Sequence, residues 1–371
     1  MKNSFVIMST RSMTTYAKSV ADILKKMPCF SKLKDFDLTG ALSVMQFSDG
    51  EMEVVLNTSI RGKDVFLFTN AAGKREELEI HEAKIELYHT IDVLRRSQAK
   101  SITVFEPYVS SSRSDRTTRR NSVGFWLHYK ILSSIGMNHL ITYQLHSDKS
   151  KTIFDPISCA IDDIKASTLI KKYICDKFIK TTEYLESVVR NQWMFCSVDA
   201  GGEKLARGFA QAFGTQLVVA HKQRNYTKAN TIESINLLTA VPLEAKNIWI
   251  VDDMVDTGGS VYELIKKLST RKPKEINLAI VHPVFSGPAV ERLKELTESG
   301  ILNNLLVCDT IPCPEAERQI KNLHIVSSEQ LSSEVIASII TNSSMAELLK
   351  PFIPEKYLTD KEYYKTNFSD F

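Results

Sequence analysis

The chain has 371 residues, of which 43% are hydrophobic and 25% charged, and it is long enough for two domains with separate cores. A formal net charge of +3 is too small to indicate a nucleic-acid or membrane partner. The six cysteines are scattered without a C-x-x-C pair, so neither a zinc site nor a disulfide framework is indicated, and no apolar stretch approaches a membrane span in length. These features predict a cytoplasmic protein with reduced thiols.

Strand and helix patterns alternate in the first half of the chain. Apolar runs predict strands at residues 64–68, 102–105 and 140–143, and helical spacing predicts helices at about 76–96 and 123–135. This rhythm is typical of a parallel sheet covered by helices.

The same rhythm returns in the second half. Strands are predicted at 193–198, 216–220, 247–251 and 276–281, and helices at 203–213 and after Ser260. We therefore expect two similar α/β domains, residues 1–158 and 159–345, the second opening with a helical stretch from about 160 to 190. Residues 346–371 are expected to be a helical or loosely packed tail without a chemical role.

The most informative segment runs from Ile248 to Ser260. Residues 248–251 are apolar, as in a strand buried on both faces, and acidic residues begin where we expect that strand to end. The glycines that follow permit a tight turn, and the helical spacing that begins at Val261 places helix N-terminal amides beside it, where they would face an anion. Carboxylates suit ribose hydroxyls or a metal bound to them, so the segment predicts a strand, loop and helix that bind ribose 5-phosphate.

This segment resembles the phosphoribosyl-pyrophosphate-binding loop shared by type I phosphoribosyltransferases and phosphoribosyl-pyrophosphate synthases (ribose-phosphate pyrophosphokinases). Residues 47–51, 282–287 and 308–312 resemble segments of the synthases alone. The resemblance runs in order from about residue 40 to about residue 315. It implies two tandem phosphoribosyltransferase-like domains, each a mainly parallel sheet flanked by helices.

The resemblance implies specific ligand contacts for the loop. The ribose hydroxyls would be bound by Asp252 and Asp253. The 5-phosphate would be bound by the loop residues Asp256, Thr257, Gly258, Gly259 and Ser260. Arg224, which lies upstream in the sequence, would also bind it.

Two further segments are implied to bind ATP. The first contains Phe47, Asp49, Gly50 and Glu51, whose aromatic ring suits a purine; taken alone it is a polar turn. The second contains Arg113, Ser114 and Asp115, and arginine suits phosphate oxygens, although taken alone this is a solvated basic loop. It departs from the family at Ser114, where glutamine is usual, and at residues 111 and 112, which are serines in place of an aromatic residue and an alanine.

The resemblance also implies magnesium, held on the sides of His146 and Asp199. A lone histidine is more often structural, and an aspartate before a helix is often its N-cap. Gln144 stands where the family has an aspartate two residues before the histidine, which removes a charged partner of the metal site.

Lys222 and Arg224 match the two family residues that act on the transition state, and Gln223 replaces the residue between them. The polar residues 225–234 after them are expected to form a mobile loop. Retention of both cations favours an active enzyme.

The implied reaction transfers the β,γ-diphosphoryl group of ATP to ribose 5-phosphate, giving 5-phosphoribosyl 1-pyrophosphate and AMP for nucleotide biosynthesis. The family also implies a homo-oligomer built from dimers and extending to a hexamer. Two alternatives stay open: a noncatalytic synthase-like regulatory subunit, suggested by Ser114, Gln144 and Gln223, and a nucleobase phosphoribosyltransferase, which the ATP-type segments disfavour.

Overall fold

The structure is a computed structural model that describes residues 5–33, 35–72, 79–117, 119–224 and 232–364, with the side chains of 222–224 and 232–234 outside the description. The strands are β1 Phe5–Ser9, β2 Leu42–Gln46, β3 Met52–Leu56, β4 Asp64–Phe68, β5 Ser101–Phe105, β6 His139–Tyr143, β7 Ala160–Ile164, β8 Trp193–Ser197, β9 Gln216–Arg224, β10 Ile232–Leu238, β11 Asn247–Val255, β12 Glu275–Pro283, β13 Asn304–Cys308 and β14 Leu323–Val326.

The α-helices are α1 Thr14–Lys26, α2 Ile80–Arg96, α3 Gly124–Ile135, α4 Ser167–Ile174, α5 Thr182–Tyr184, α6 Arg190–Gln192, α7 Glu203–Phe213, α8 Gly259–Ser269, α9 Ala289–Glu298, α10 Pro314–Gln319, α11 Glu329–Thr341, α12 Ala346–Leu349 and α13 Pro354–Thr359. Short 3-10 helices cover Arg11–Met13, Asp148–Ile153 and Lys361–Tyr364, and π-helices cover Cys175–Ile179 and Leu185–Val189. None of the described helices is long and apolar enough to cross a membrane.

The first compact unit contains a parallel sheet of order β1-β4-β5-β6-β7. Helix α2 buries Leu87, Ile91 and Leu94, which share one core with side chains of β5 and α3. Strands β2 and β3 form a separate antiparallel hairpin. Helix α11 contacts α1, and the Tyr16 hydroxyl lies 2.8 Å from the hydroxyls of both Ser328 and Ser332.

The second compact unit contains a sheet of order β10-β9-β8-β11-β12-β13-β14, in which the β9–β10 pair is antiparallel and the other pairs are parallel. Strands β8 and β11 lie at its centre. Helix α8 buries Val261, Leu264, Ile265 and Leu268, the spacing that the sequence predicts for its core face.

The two units confirm the predicted pair of α/β domains but divide the chain differently from the predicted ranges. Residues 160–164 are not helical: they form β7, which pairs with β6, so the first unit extends to Lys165. Residues 328–349 also belong to the first unit, because α11 packs on α1. The boundary between the two units therefore follows the packing of β7 and α11. The helical stretch that opens the second unit begins with α4.

The tail is helical, as expected, but it is not loosely packed in the part that the structure describes. Residues 350–364 belong to the second unit, and Phe352, Tyr357 and Tyr364 are buried together. The Tyr357 hydroxyl donates to Asp176 Oδ2 at 2.7 Å. Aromatic burial of this kind stabilises the tail against the second unit.

Candidate active site

The loop between β11 and α8 has the geometry of an anion cradle. Gly258 has φ = 73°, a left-handed conformation that glycine adopts without steric cost, and it precedes the first residue of α8. The amides at the start of α8 carry the positive end of the helix dipole. The arrangement suits a phosphate group at residues 256–260.

Backbone hydrogen bonds brace this loop against the connection between β12 and α9. Phe285 N donates to Val255 O at 2.9 Å, and Ser286 N donates to Asp256 O at 3.0 Å. The Arg292 guanidinium donates to Thr257 O at 2.8 Å. Arg292 was missed by the sequence analysis, and only its position after the synthase-like residues 282–287 could have drawn attention to it.

Strand β11 runs through the two acids, which corrects the prediction that it ends at residue 251. Asp252 pairs in register with Ile280, and the ladder continues to Val255 and Pro283. Beyond Val251 the strand has lost its β8 partner, and its pairing with β12 alone keeps the segment extended despite its charges. Asp252 and Asp253 therefore sit on a rigid strand rather than on a loop.

Asp252 lies in a crowded acidic environment. Burial raises the pKa of the Asp252 carboxyl well above its usual range, and the nearby carboxylates of Asp253 and Asp199 raise it further. A Cβ at Gly202 would lie only 3.3 Å from Asp252 Oδ1, so a glycine at this position preserves the close approach. The second unit thus brings Asp199, Asp252 and Asp253 together.

The acidic group fits a magnesium ion in chemistry. A divalent cation would relieve the repulsion that raises the pKa of Asp252, and carboxylate oxygens are preferred Mg²⁺ ligands. Among the described residues, no group of three or more histidine, cysteine or acidic side chains forms a ready-made metal site. This is compatible with Mg²⁺, which usually takes one or two protein carboxylates together with water and substrate oxygens.

Asp199 also shapes the backbone, although it is not the N-cap of α7, a position that Gly202 occupies. Its Oδ1 accepts hydrogen bonds from Gly201 N at 2.9 Å and Gly202 N at 3.2 Å, just before α7. The same bonds orient the carboxylate at the carboxyl end of β8.

In the first unit, residues 47–51 form the turn of the β2–β3 hairpin. Phe47 N donates to Glu51 O at 2.8 Å, Gly50 has φ = 94°, and Glu51 N donates to Asp49 Oδ1 at 3.1 Å. The Phe47 side chain is 51% exposed. An aromatic ring held in this way on a hairpin tip is accessible for stacking on a base.

Arg113, Ser114 and Asp115 lie on the loop that leads from β5 to α3. Ser114 has a local structural role: its hydroxyl accepts a hydrogen bond from Gly124 N at 3.0 Å, at the first residue of α3. Asp115 accepts from the Ser150 hydroxyl at 3.2 Å. The Arg113 side chain is exposed.

His146 follows β6 on a turn with an unusual backbone. Gln144 has φ = 51°, a left-handed conformation in which aspartate and asparagine are favoured over longer side chains. Leu145 N donates to Asp163 Oδ1 at 3.0 Å, and the buried Asp163 pairs with Lys165 at 2.6 Å. Asp163 therefore holds the backbone just before His146, a role that the sequence did not predict.

The predicted site residues divide between the two units. Phe47, Asp49, Gly50, Glu51, Arg113, Ser114, Asp115 and His146 belong to the first, and Asp199, Asp252, Asp253, Asp256, Thr257, Gly258, Gly259 and Ser260 to the second. The backbones of Lys222 and Arg224 lie within β9, which runs beyond the predicted end at residue 220, and their side chains lie outside the described residues. Residues 232–234, expected in a loop, belong to β10, and residues 225–231 lie outside the description.

Comparison with known proteins adds two family matches. A model described as the N-terminal domain of ribose phosphate pyrophosphokinase matches residues 5–136, and one for the phosphoribosyl transferase domain matches residues 161–299. The ribose-phosphate pyrophosphokinase of Campylobacter jejuni is 31% identical over 319 residues, which cover 86% of this chain and 93% of the relative. That of Fusobacterium nucleatum is 30% identical over 310 residues, covering 83% and 90%.

The fold is similar to that of phosphoribosylpyrophosphate synthetase from Mycobacterium smegmatis. The TM-score is 0.76 at 23% identity, and the likeness covers 92% of this chain and all of that one. This shows the tandem-domain fold that the sequence predicts.

Proposed function

Because this chain belongs to the ribose-phosphate pyrophosphokinase family, we propose that it is an active synthase that forms 5-phosphoribosyl 1-pyrophosphate and AMP from ATP and ribose 5-phosphate. The anomeric hydroxyl of the sugar attacks the β-phosphorus of ATP and loses its proton, and the bond between that phosphorus and the bridging oxygen of AMP breaks. The diphosphoryl group thus passes to the sugar intact.

The β11–α8 loop carries this proposal. Its left-handed Gly258 and the adjacent helix amides suit the 5-phosphate. The other residues proposed to bind this phosphate are Asp256, Thr257, Gly259, Ser260 and Arg224. Asp252 and Asp253 on the rigid end of β11 suit the sugar hydroxyls. Carboxylates followed along the chain by an anion cradle suit the hydroxyls and the phosphate of a ribose phosphate.

The first unit supplies donors and a stacking surface for ATP. The exposed Phe47 ring suits the adenine, and Asp49, Gly50 and Glu51 provide hydrogen-bonding groups on the same hairpin turn. Arg113, with Ser114 and Asp115 beside it, suits phosphate oxygens.

His146 in the first unit and Asp199 in the second are the candidate magnesium-side residues, and Mg²⁺ would supply charge neutralisation for the triphosphate. Lys222 and Arg224 would add to this neutralisation from the end of β9. The backbones of both residues lie at the end of β9, beside β10, which supports a place for them at the carboxyl end of a sheet strand.

The proposal extends to a cytoplasmic homo-oligomer built from dimers, with hexamers as the larger assembly. Sedimentation of the purified chain measures this directly. A monomer at micromolar concentration would contradict it.

The decisive experiment incubates the purified chain with ribose 5-phosphate, ATP and MgCl₂ and separates the products by chromatography. We expect equimolar AMP and phosphoribosyl pyrophosphate, and a loss of about a thousandfold in kcat for Lys222→Ala with little change in either KM. Lys204→Ala, on α7, is the matched control and should keep full activity.

Two results would redirect the proposal. Absence of both products would favour the noncatalytic subunit, which would then be tested by mixing with an active synthase. Consumption of phosphoribosyl pyrophosphate that requires an added nucleobase would favour the phosphoribosyltransferase.

A further inference from the structure

A fully buried carboxylate lies beneath the arginine loop of the first unit. Glu106 directly follows β5 and is 0% exposed. Its Oε2 accepts a hydrogen bond from the Tyr129 hydroxyl at 2.5 Å, whereas its Oε1 has no hydrogen-bond partner in the part of the chain that the structure describes. A buried carboxylate is costly unless positive groups compensate it.

Two basic side chains face Glu106 from the helices that cover it. Lys84 of α2 is attracted by Glu106, which opposes the lowering of the Lys84 pKa by burial. His128 of α3 has its Nε2 3.7 Å from Glu106 Oε2, and its Nδ1 lies 2.8 Å from the Tyr88 hydroxyl. Glu106 is thus a buried negative charge whose field acts on Lys84.

Lys84 connects this buried charge to the loop. Its Nζ donates to the Ser111 hydroxyl at 2.7 Å. Ser111 O in turn accepts from Ser114 N at 2.9 Å, which closes a four-residue turn around Arg113. Ser111 is one of the two serines that depart from the aromatic residue and alanine of the family pattern, so the hydrogen bond uses a hydroxyl that the pattern lacks.

We propose that Lys84 and Glu106 are positioning residues that fix the turn of residues 111–114, and with it Arg113, in the conformation that receives the triphosphate of the nucleotide. Glu106 favours the ammonium form of Lys84, Lys84 holds Ser111, and the turn then limits the directions that the Arg113 side chain can take. The inference rests on the proposed function for the identity of the ligand. The interaction of Lys84 with Glu106 and Ser111, which we call the anchor, is present in the protein without ligand.

The test begins with Lys84→Met, which removes the ammonium group and keeps an unbranched apolar side chain. We expect the KM for ATP to rise about tenfold, while kcat and the KM for ribose 5-phosphate change by less than about twofold. A general loss of folding would instead lower kcat through the fraction of active protein. Lys100→Met is the matched control, because Lys100 pairs with Asp64 at 2.9 Å on the surface.

Amide hydrogen exchange in the ligand-free protein provides a readout without catalysis. Peptides covering residues 109–116 should exchange faster in Lys84→Met and in Glu106→Gln than in the wild type, and Lys100→Met should leave them unchanged. Unchanged exchange in this segment together with an unchanged KM for ATP would overturn the anchor.

Ser111→Ala removes the other end of the same hydrogen bond with minimal disturbance of the core. It should reproduce the rise in KM, and the double variant Lys84→Met/Ser111→Ala should be no worse than Lys84→Met alone, because both changes remove one interaction. Multiplying effects of the two changes would show that they act separately and would contradict the proposal. If the wild type forms no AMP, the proposed function fails while the exchange measurement still decides the anchor.

Discussion

The loops that follow β11 and β5 both lead from a parallel strand to a helix, but they are held in different ways. The β11–α8 loop is fixed by backbone bonds from Phe285 and Ser286 and by the left-handed Gly258. The β5–α3 loop adds side-chain hydrogen bonds at Ser111 and Ser114 to its backbone turn. The first loop presents its own amides to a ligand, whereas the second presents an arginine whose direction depends on side-chain supports.

Gly258→Val should break the backbone-braced loop and have the largest effect. A β-branched residue at φ = 73° is strained, and its side chain would press towards Ala289, whose Cα lies 3.5 Å from the Cβ position. We expect the KM for ribose 5-phosphate to rise about a hundredfold and the KM for ATP to stay within about twofold. Gly208→Ala is the control, since no atom lies within 4 Å of that Cβ and a helical alanine is favourable.

Asp252→Asn should separate activity from stability at the same strand end. We expect kcat/KM for ribose 5-phosphate to fall by roughly tenfold to a hundredfold, because a charged acceptor is lost. The free energy of unfolding in metal-free buffer should rise by about 1 kcal/mol, because an amide does not repel Asp253 and Asp199.

The same variant has a pH signature. The pKa of Asp252 is raised in the folded state, so the native protein binds this proton more tightly than the unfolded chain does. Wild-type stability should therefore decline as pH rises from about 4 towards neutrality, and Asp252→Asn should lack this component. Urea unfolding with EDTA between these pH values measures it; identical pH slopes would contradict the assignment.

Gln144→Asp should strengthen Mg²⁺ binding on the side of His146. Aspartate suits the left-handed backbone at φ = 51° and restores the charge that the family has beside the histidine. We expect the Mg²⁺ concentration for half-maximal activity to fall about tenfold. Gln144→Asn shares the backbone preference without the charge, so an equal effect of both variants would refute the role of the charge.

Ser114→Ala should have the smallest effect. It removes the hydroxyl that accepts from Gly124 N at 3.0 Å, which should cost about 1 kcal/mol of unfolding free energy. The KM for ATP should rise by only about threefold, because Lys84 still holds Ser111. Ser122→Ala, on the exposed part of the loop, is the comparison variant.

Local sequence patterns predicted the elements that depend on short-range spacing. The helix of residues 203–213 has the bounds predicted for it, and the four apolar residues of α8 face the core as expected. The predicted end of β11 was wrong because β12 pairs with Asp252, Met254 and Val255, and no feature of the segment itself reveals that partner. The predicted second domain included α11, which belongs to the first unit because it packs on α1, 312 residues away at the contact between Tyr16 and Ser328.

The candidate site residues likewise divide into those that local sequence patterns predict and those whose roles depend on distant partners. Glycine and acid spacing was sufficient to predict a phosphate cradle, because the required backbone angles are local. Arg292, Asp163 and Glu106 gave no comparable signal, since these hydrogen bonds join them to partners 18 or more residues away. The individual ligand contacts of the predicted site residues stay predictions that the variants above will test.

The packing of α11 on α1 has a consequence for synthesis on the ribosome. Tyr16 meets Ser328 across 312 residues of sequence, so the first unit lacks one of its helices until almost the whole chain has been made. At about 5–20 residues per second, that interval is roughly 15–60 s. During it the apolar face of α1 that includes Tyr16 and Val20 has no α11 to cover it, which makes nascent chains of this protein substrates for chaperones that bind exposed apolar helices. Truncation before residue 329 should therefore yield chains that coprecipitate with such chaperones.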